Sequence, residues 1–213
     1  MADEKAPPEF MSALVTEHFV LQSTSSSTIS ESGSRVSIYL SALSSGLVAI
    51  GFASSTPHAL ASLAFTVLPT VFVLGLFTIV RLIDTSVANI ISQRRMEKIR
   101  AYYAALAPLA PPYFEADDSI AGNKGVRYSR WSFLFTMASM VIVVNSVLGG
   151  AAVALVGDLA VKAPLSVATG VGVAAGIAIL LLSLLYEHRR LTPVVLSSPA
   201  ASAAARGDNT ELT

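Results

Sequence analysis

The chain has 213 residues, 53% of them hydrophobic and only 13% charged, about half the charged fraction of an ordinary soluble domain. At a mean hydropathy of +0.64 a soluble fold would lack polar surface, and bilayer-spanning helices of roughly 20 apolar residues are the alternative. Fourteen basic and fourteen acidic residues cancel, so net charge points to no nucleic-acid partner, and the absence of cysteine excludes disulfides, thiolate nucleophiles and Cys-based zinc sites.

The N-terminus, MADEKAPPEF, is mixed in charge with two prolines and lacks the basic start and apolar core of a cleavable signal peptide. After Pro7 and Pro8, the residues Phe10, Met11, Leu14, Val15, His18 and Leu21 share one helical face. The stretch STSSSTISESGSR, residues 23–35, reads either as a flexible link or as a helix continuous with the first span. Residues 1–35 are thus an amphipathic arm and a Ser-rich segment.

Four uncharged runs come next, at residues 36–54, 59–80, 131–157 and 164–186. At ~1.5 Å per residue each covers a ~30 Å hydrocarbon core. The expected fold is an all-α polytopic membrane protein of four transmembrane helices, with a helical cytoplasmic extension of the second. The short connections between spans one and two and between spans three and four hold one basic residue, Lys162; the other 13 of 14 lie in the N-terminal arm, the middle segment and the tail. The positive-inside rule makes that face cytoplasmic, with both termini inside a plasma-membrane protein, and Tyr128 and Trp131 fit interfacial anchors.

Span two ends near Arg81, because carrying it to Arg94 would put roughly 50 Å of helix in the hydrocarbon. Residues 81–130 are read as a helical extension and then a loop. Ile83, Val87, Ile90 and Ile91 share one face, and Met96, Ile99, Tyr103 and Leu106 recur on another. A stripe that changes face suggests a bend near Ser92 to Arg95 or two successive partners, the second of them another chain; packing within the protomer is the alternative. Arg94, Arg95, Lys98 and Arg100 are candidates for anionic lipid headgroups or a cytoplasmic protein partner. Arg81 and Asp84, three apart, are placed to pair. Prolines and glycines break any helix in residues 107–130, Asp117 and Asp118 lack the further oxygens of a calcium loop, and residues 187–213 read as a disordered tail in which an RGD tripeptide carries no meaning.

Within the spans, Pro69 is expected to kink span two, with Thr66 and Thr70 placed to satisfy the freed groups. Asn145 is the lone amide in a span and fits an interhelical hydrogen bond. Small residues recur at four-residue spacing: Ala168, Gly172 and Gly176; Ser146, Gly150 and Ala154; Ser41, Ser45, Ala49 and Ala53. Such stripes suit close packing, inside the bundle or between copies in a homo-oligomer through span four. No Walker loop, dinucleotide fingerprint, GxSxG elbow or HExxH is present, and His18, His58 and His188 are scattered. No catalytic residue, metal site or cofactor is expected. The reading is a non-enzymatic four-span protein with a cytoplasmic interaction or signal-responsive module, possible self-association included; the alternative is a small oligomeric channel or transporter with Asn145 and Pro69 lining the path and Arg81 or Asp84 at its inner mouth.

Overall fold

A computed structural model describes residues 7–106 and 137–196, with side chains to residue 193. Tyr128, Trp131, Asp117, Asp118, the start of the third span and the RGD tripeptide lie outside the described residues. Within them the protein is all-helical, with no strand: α1 (Pro8–Ala53), α2 (Pro57–Ala104), α3 (Met137–Leu159) and α4 (Leu165–Leu196). Each contains a stretch long and apolar enough to cross a membrane.

The helix starts reflect local chemistry. Pro8 and Pro57 occupy first-turn positions, where a missing N–H costs nothing and φ is already set. Ser54 and Thr56 return their N–H groups to Gly51 and Ala53 as α1 ends. Between α3 and α4 the chain turns through Lys162, whose φ of 54° costs a non-glycine residue about 1–2 kcal/mol.

The arm, the Ser-rich segment and the first span form one 46-residue helix. Serine-rich sequence favours turns because its hydroxyls compete for backbone groups. Here Thr16, Thr24, Ser32 and Ser37 donate to the carbonyl four residues earlier, inside the helix itself. The second span likewise continues to Ala104, giving a 48-residue helix. At ~1.5 Å per residue the two are ~69 and ~72 Å long, about twice a ~30 Å hydrocarbon core.

α1 and α2 pack antiparallel over this whole length. Phe10 meets Tyr102, Ser25 meets Asn89, Ser32 meets Thr85, and Tyr39 and Gly46 sit against Gly75 and Val67. The register never slips. On α2 the seam descends through Tyr103, Ile99, Met96, Ser92, Asn89, Thr85, Leu82, Thr78, Gly75, Val71, Leu68 and Ala64, all buried or half-buried. Those steps alternate between four and three, the heptad of a coiled coil. The stripe of Met96, Ile99 and Tyr103 therefore packs on Leu14 and Leu21 of the same chain; no second chain is needed for it. No break interrupts α2 near Ser92 to Arg95, and Ile91 and Leu106 stay exposed.

α2 carries a second buried face. Phe72 lies against Gly149 and Gly75 against Asn145, so α3 runs antiparallel to α2, and the two turns, 54–56 and 160–164, lie at one end. α3 packs chiefly on α4, which also touches α2. The main core joins Tyr39, Leu68, Ile79, Ile83, Val141 and Ile142.

Two expectations are corrected. Residues 187–196, assigned to a disordered tail, continue α4, because Glu187 and Leu191 are buried and Arg190 reaches Asp84. Thr66 and Thr70 do not satisfy the carbonyl of Phe65, which Pro69 leaves without its usual donor; they donate to Ser62 and Thr66.

The continuous register gives a clean test in a chain with no native cysteine. The double variant Ser25→Cys/Asn89→Cys should form an intramolecular disulfide under mild oxidation, read as a gel shift reversed by reductant. Ser23→Cys/Asn89→Cys, with one cysteine turned to the exposed side of α1, should not.

Candidate functional site

Three polar features stand out along the bundle. The deepest is in the apolar zone, where α1, α2 and α3 meet. Tyr39 and Asn145 are both fully buried, and the Tyr39 hydroxyl donates to Asn145 Oδ1 at 3.3 Å. Both side chains fill the space that the missing Cβ of Gly75 leaves: a Cβ there would strike the Asn145 amide and lie 2.9 Å from Tyr39 Cε2. Asn145 Nδ2 has no hydrogen-bond partner. A cross-helix hydrogen bond in this setting contributes about 0.6–2 kcal/mol, and this one ties the α1–α2 pair to α3.

Pro69 is exposed, on the outer side of α2. Asn145 and Pro69 therefore share no lining.

The second feature is a collar of charge at the end of the apolar zone. Glu31 accepts from Arg35 at 2.9 Å and from Arg81 at 3.0 Å, while Arg190 donates to Asp84 at 3.3 Å. Arg81 and Asp84 thus do not pair with each other; each reaches a different helix, α1 for Arg81 and α4 for Asp84. The two guanidinium groups, Arg35 first and Arg81 next, hold the Glu31 carboxyl below the usual carboxylate range. Just beyond the collar the α1–α2 seam turns polar, with Ser25 donating to Asn89 at 2.6 Å and Gln93 to Ser25 at 3.3 Å.

The third feature is the basic end of α2. Ser92, Met96 and Ile99 define its buried side. At ~100° per residue Arg94 falls on the opposite side, Arg95 on one flank with Lys98 at its outer edge, and Arg100 on the other flank. The fold does not gather the four into one cluster.

The small residues of α3 and α4 meet face to face. A Cβ on Gly172 would lie 2.6 Å from the Gly150 carbonyl oxygen and 2.6 Å from Ala154 Cβ; one on Gly176 would lie 3.1 Å from the Ser146 carbonyl. The Gly172/Gly176 face of α4 is occupied by α3. Ser41 and Ser45 of the α1 stripe are exposed instead. His18 lies in the α1–α2 seam, His58 at the far end of α2 and His188 on α4; no group of three or more His, Cys, Asp or Glu able to hold a metal occurs among the described residues.

Sequence reasoning passed over Glu31, Tyr39, Gly75 and Glu187. A signal existed for one of them: Ser25, Ser32, Tyr39 and Gly46 recur every seven residues, which places Tyr39 on the seam once the helix is taken as unbroken.

Two measurements probe these contacts. Gly172→Ala should lower thermal stability in detergent by about 1–3 kcal/mol through overpacking, while Gly170→Ala, with open space around it, should not. The Glu31 contribution tracks its depressed pKa: it is present above the ordinary carboxylate value of ~4.3 and is lost as pH falls through the lower folded value. Glu31→Gln should therefore lose less stability than the parent protein when thermal melts are compared at pH 7 and pH 3.

No family model matches this chain, and neither the curated proteins nor the solved structures contain a match to it.

Proposed function

We propose that this is a non-enzymatic four-span membrane protein whose α1–α2 hairpin stands out of the bilayer on the cytoplasmic side as an interaction or signal-responsive module. The observation that carries this reading is the unbroken pairing of α1 and α2 well past the collar, with its own apolar core at Leu14, Leu21, Met96, Ile99 and Tyr103. Measured from Arg81 to Ala104, the projecting part of α2 is ~35 Å long. A helix that crosses once keeps about 20 residues in the hydrocarbon, so the rest of a 48-residue helix needs an aqueous home. Of the nine basic residues among the described ones, all but Lys162 lie at the collar or beyond it, which supports a cytoplasmic face; the membrane proposed is the plasma membrane.

The same geometry separates two roles for the basic residues. Arg94 lies ~20 Å and Arg100 ~28 Å along the helix beyond Arg81. Attraction to headgroups fades over a Debye length of ~8 Å in physiological salt. On an upright hairpin Arg94, Arg95, Lys98 and Arg100 are out of reach of the membrane that holds them, which favours a cytoplasmic protein partner over anionic lipid.

The channel or transporter alternative has one feature in its favour, the buried Asn145 amide with its unbonded Nδ2. Its other parts are engaged elsewhere: Arg81 and Asp84 are held in cross-helix pairs.

In sealed vesicles of known orientation, an impermeant maleimide should label Ser12→Cys from the cytoplasmic side and His58→Cys from the other; labelling of both from one side would defeat this topology. Changing Arg94, Arg95, Lys98 and Arg100 together to Gln should weaken co-purification of a cytosolic partner and flatten its salt dependence. Ion or solute flux in proteoliposomes that Asn145→Ala abolishes would favour the alternative.

A further inference from the structure

Helical spacing puts Phe10, Ala13, Glu17 and Val20 on one flank of α1 and Ile91, Arg95, Lys98 and Tyr102 on one flank of α2. The rings of Phe10 and Tyr102 touch edge to face, with centroids 5.8 Å apart, so both flanks lie on the same side of the hairpin. That side is partly apolar and uncovered: Phe10 is 46% exposed, Val20 53% and Ile91 42%. It is also polarised. Glu17 is exposed on α1, Arg95 and Lys98 are exposed on α2, and none of the three joins the ion pairs among the described residues.

The membrane restricts how a second copy can approach. Two copies inserted the same way are related by a two-fold axis along the bilayer normal, the commonest closed symmetry. That rotation exchanges left and right on the facing side, so α1 of one hairpin comes to lie opposite α2 of the other. Heights are kept. Phe10 is level with Tyr102 and Ser25 with Asn89, so Glu17, midway between Phe10 and Ser25, is level with Arg95 and Met96. A carboxylate on each copy then faces two cations on the other, twice over, with Val20 within a turn of the opposing Ile91. The flank is self-complementary under the one operation that the bilayer favours.

We propose that this flank, carrying Phe10, Glu17 and Val20 on α1 and Ile91, Arg95 and Lys98 on α2, docks on the same flank of a second copy of the chain to form a four-helix bundle beyond the membrane. The inference rests on the projecting-hairpin reading and adds a second copy of the chain as the occupant of this flank. The interface is held by apolar contact at Val20 and Ile91 and oriented by the charge pairs, and it weakens as salt rises.

The test uses the full chain in nanodiscs or proteoliposomes. Copies carrying Val20→Cys mixed with copies carrying Ile91→Cys should give a disulfide-linked dimer, and neither variant alone should do so. Glu17→Lys should weaken association about tenfold or more, as should Arg95→Glu/Lys98→Glu, because each leaves like charges facing. Mixing these two reversed variants restores opposite charge at both contacts and should restore the dimer. Circular dichroism checks that each variant keeps its helix content. No cross-link in the mixture, or no rescue on mixing reversed variants that remain helical, overturns the proposal. The labelling of Ser12→Cys separates the two levels: if it labels and no dimer forms, only the docking surface fails; if it never labels, the projecting hairpin fails with it.

Discussion

The governing constraint is the mismatch between helix length and bilayer thickness. Helices of 46 and 48 residues are about twice as long as a ~30 Å apolar slab is thick, and under the projecting-hairpin proposal one antiparallel pair is stable in two solvents. In lipid there is no hydrophobic drive between helices, and close backbone approach with cross-helix hydrogen bonds takes its place. In water apolar burial at about 25 cal/mol per Å² does that work. The seam of α1 and α2 changes its residues accordingly. Gly46, Gly75 and Tyr39 serve the apolar zone, and Leu14, Leu21, Met96 and Ile99 serve the far end. Between them, near the collar, the seam uses Ser25, Ser32, Thr85 and Asn89, which satisfy one another.

That change explains what the sequence made legible. The four apolar runs announce themselves through hydropathy alone, a property that needs no knowledge of neighbours. The coiled coil does not, because its heptad is written first in leucine, then in serine and threonine, then in glycine and tyrosine. Apolar periodicity sees the two ends and loses the middle. The Ser-rich segment therefore read equally well as a link, and the stripe of Met96, Ile99 and Tyr103 fitted either another chain or packing within the protomer, where the arm is in fact its partner. Arg81 and Asp84 failed for a related reason: their spacing allows a local pair, but Glu31 and Arg190 come from helices whose position only the tertiary fold sets. Pattern near a residue could not show either.

The site was legible to a similar degree. Asn145 was picked out because a lone amide in an apolar run must go somewhere. Its partners, Tyr39 and the open side of Gly75, required knowing which turn of α1 lies beside which turn of α3. Gly150, Gly172 and Gly176 were found by spacing, and the close approach of the α3 and α4 backbones there gives that spacing its physical meaning.

Besides the shared apolar core, two polar ties join the α1–α2 hairpin to the other helices. One is the junction of Tyr39, Gly75 and Asn145 in the apolar zone; the other is the pair of Asp84 with Arg190 at the collar. They are ~14 Å apart along α2, and ~30 Å of helix extends from the second to Ala104. Close-packed glycine contacts resist continuous deformation, whereas an exposed ion pair yields at little cost. The Asp84–Arg190 pair is therefore the weaker of the two ties, and the buried Ile79, Leu82 and Ile83 fix α2 between them.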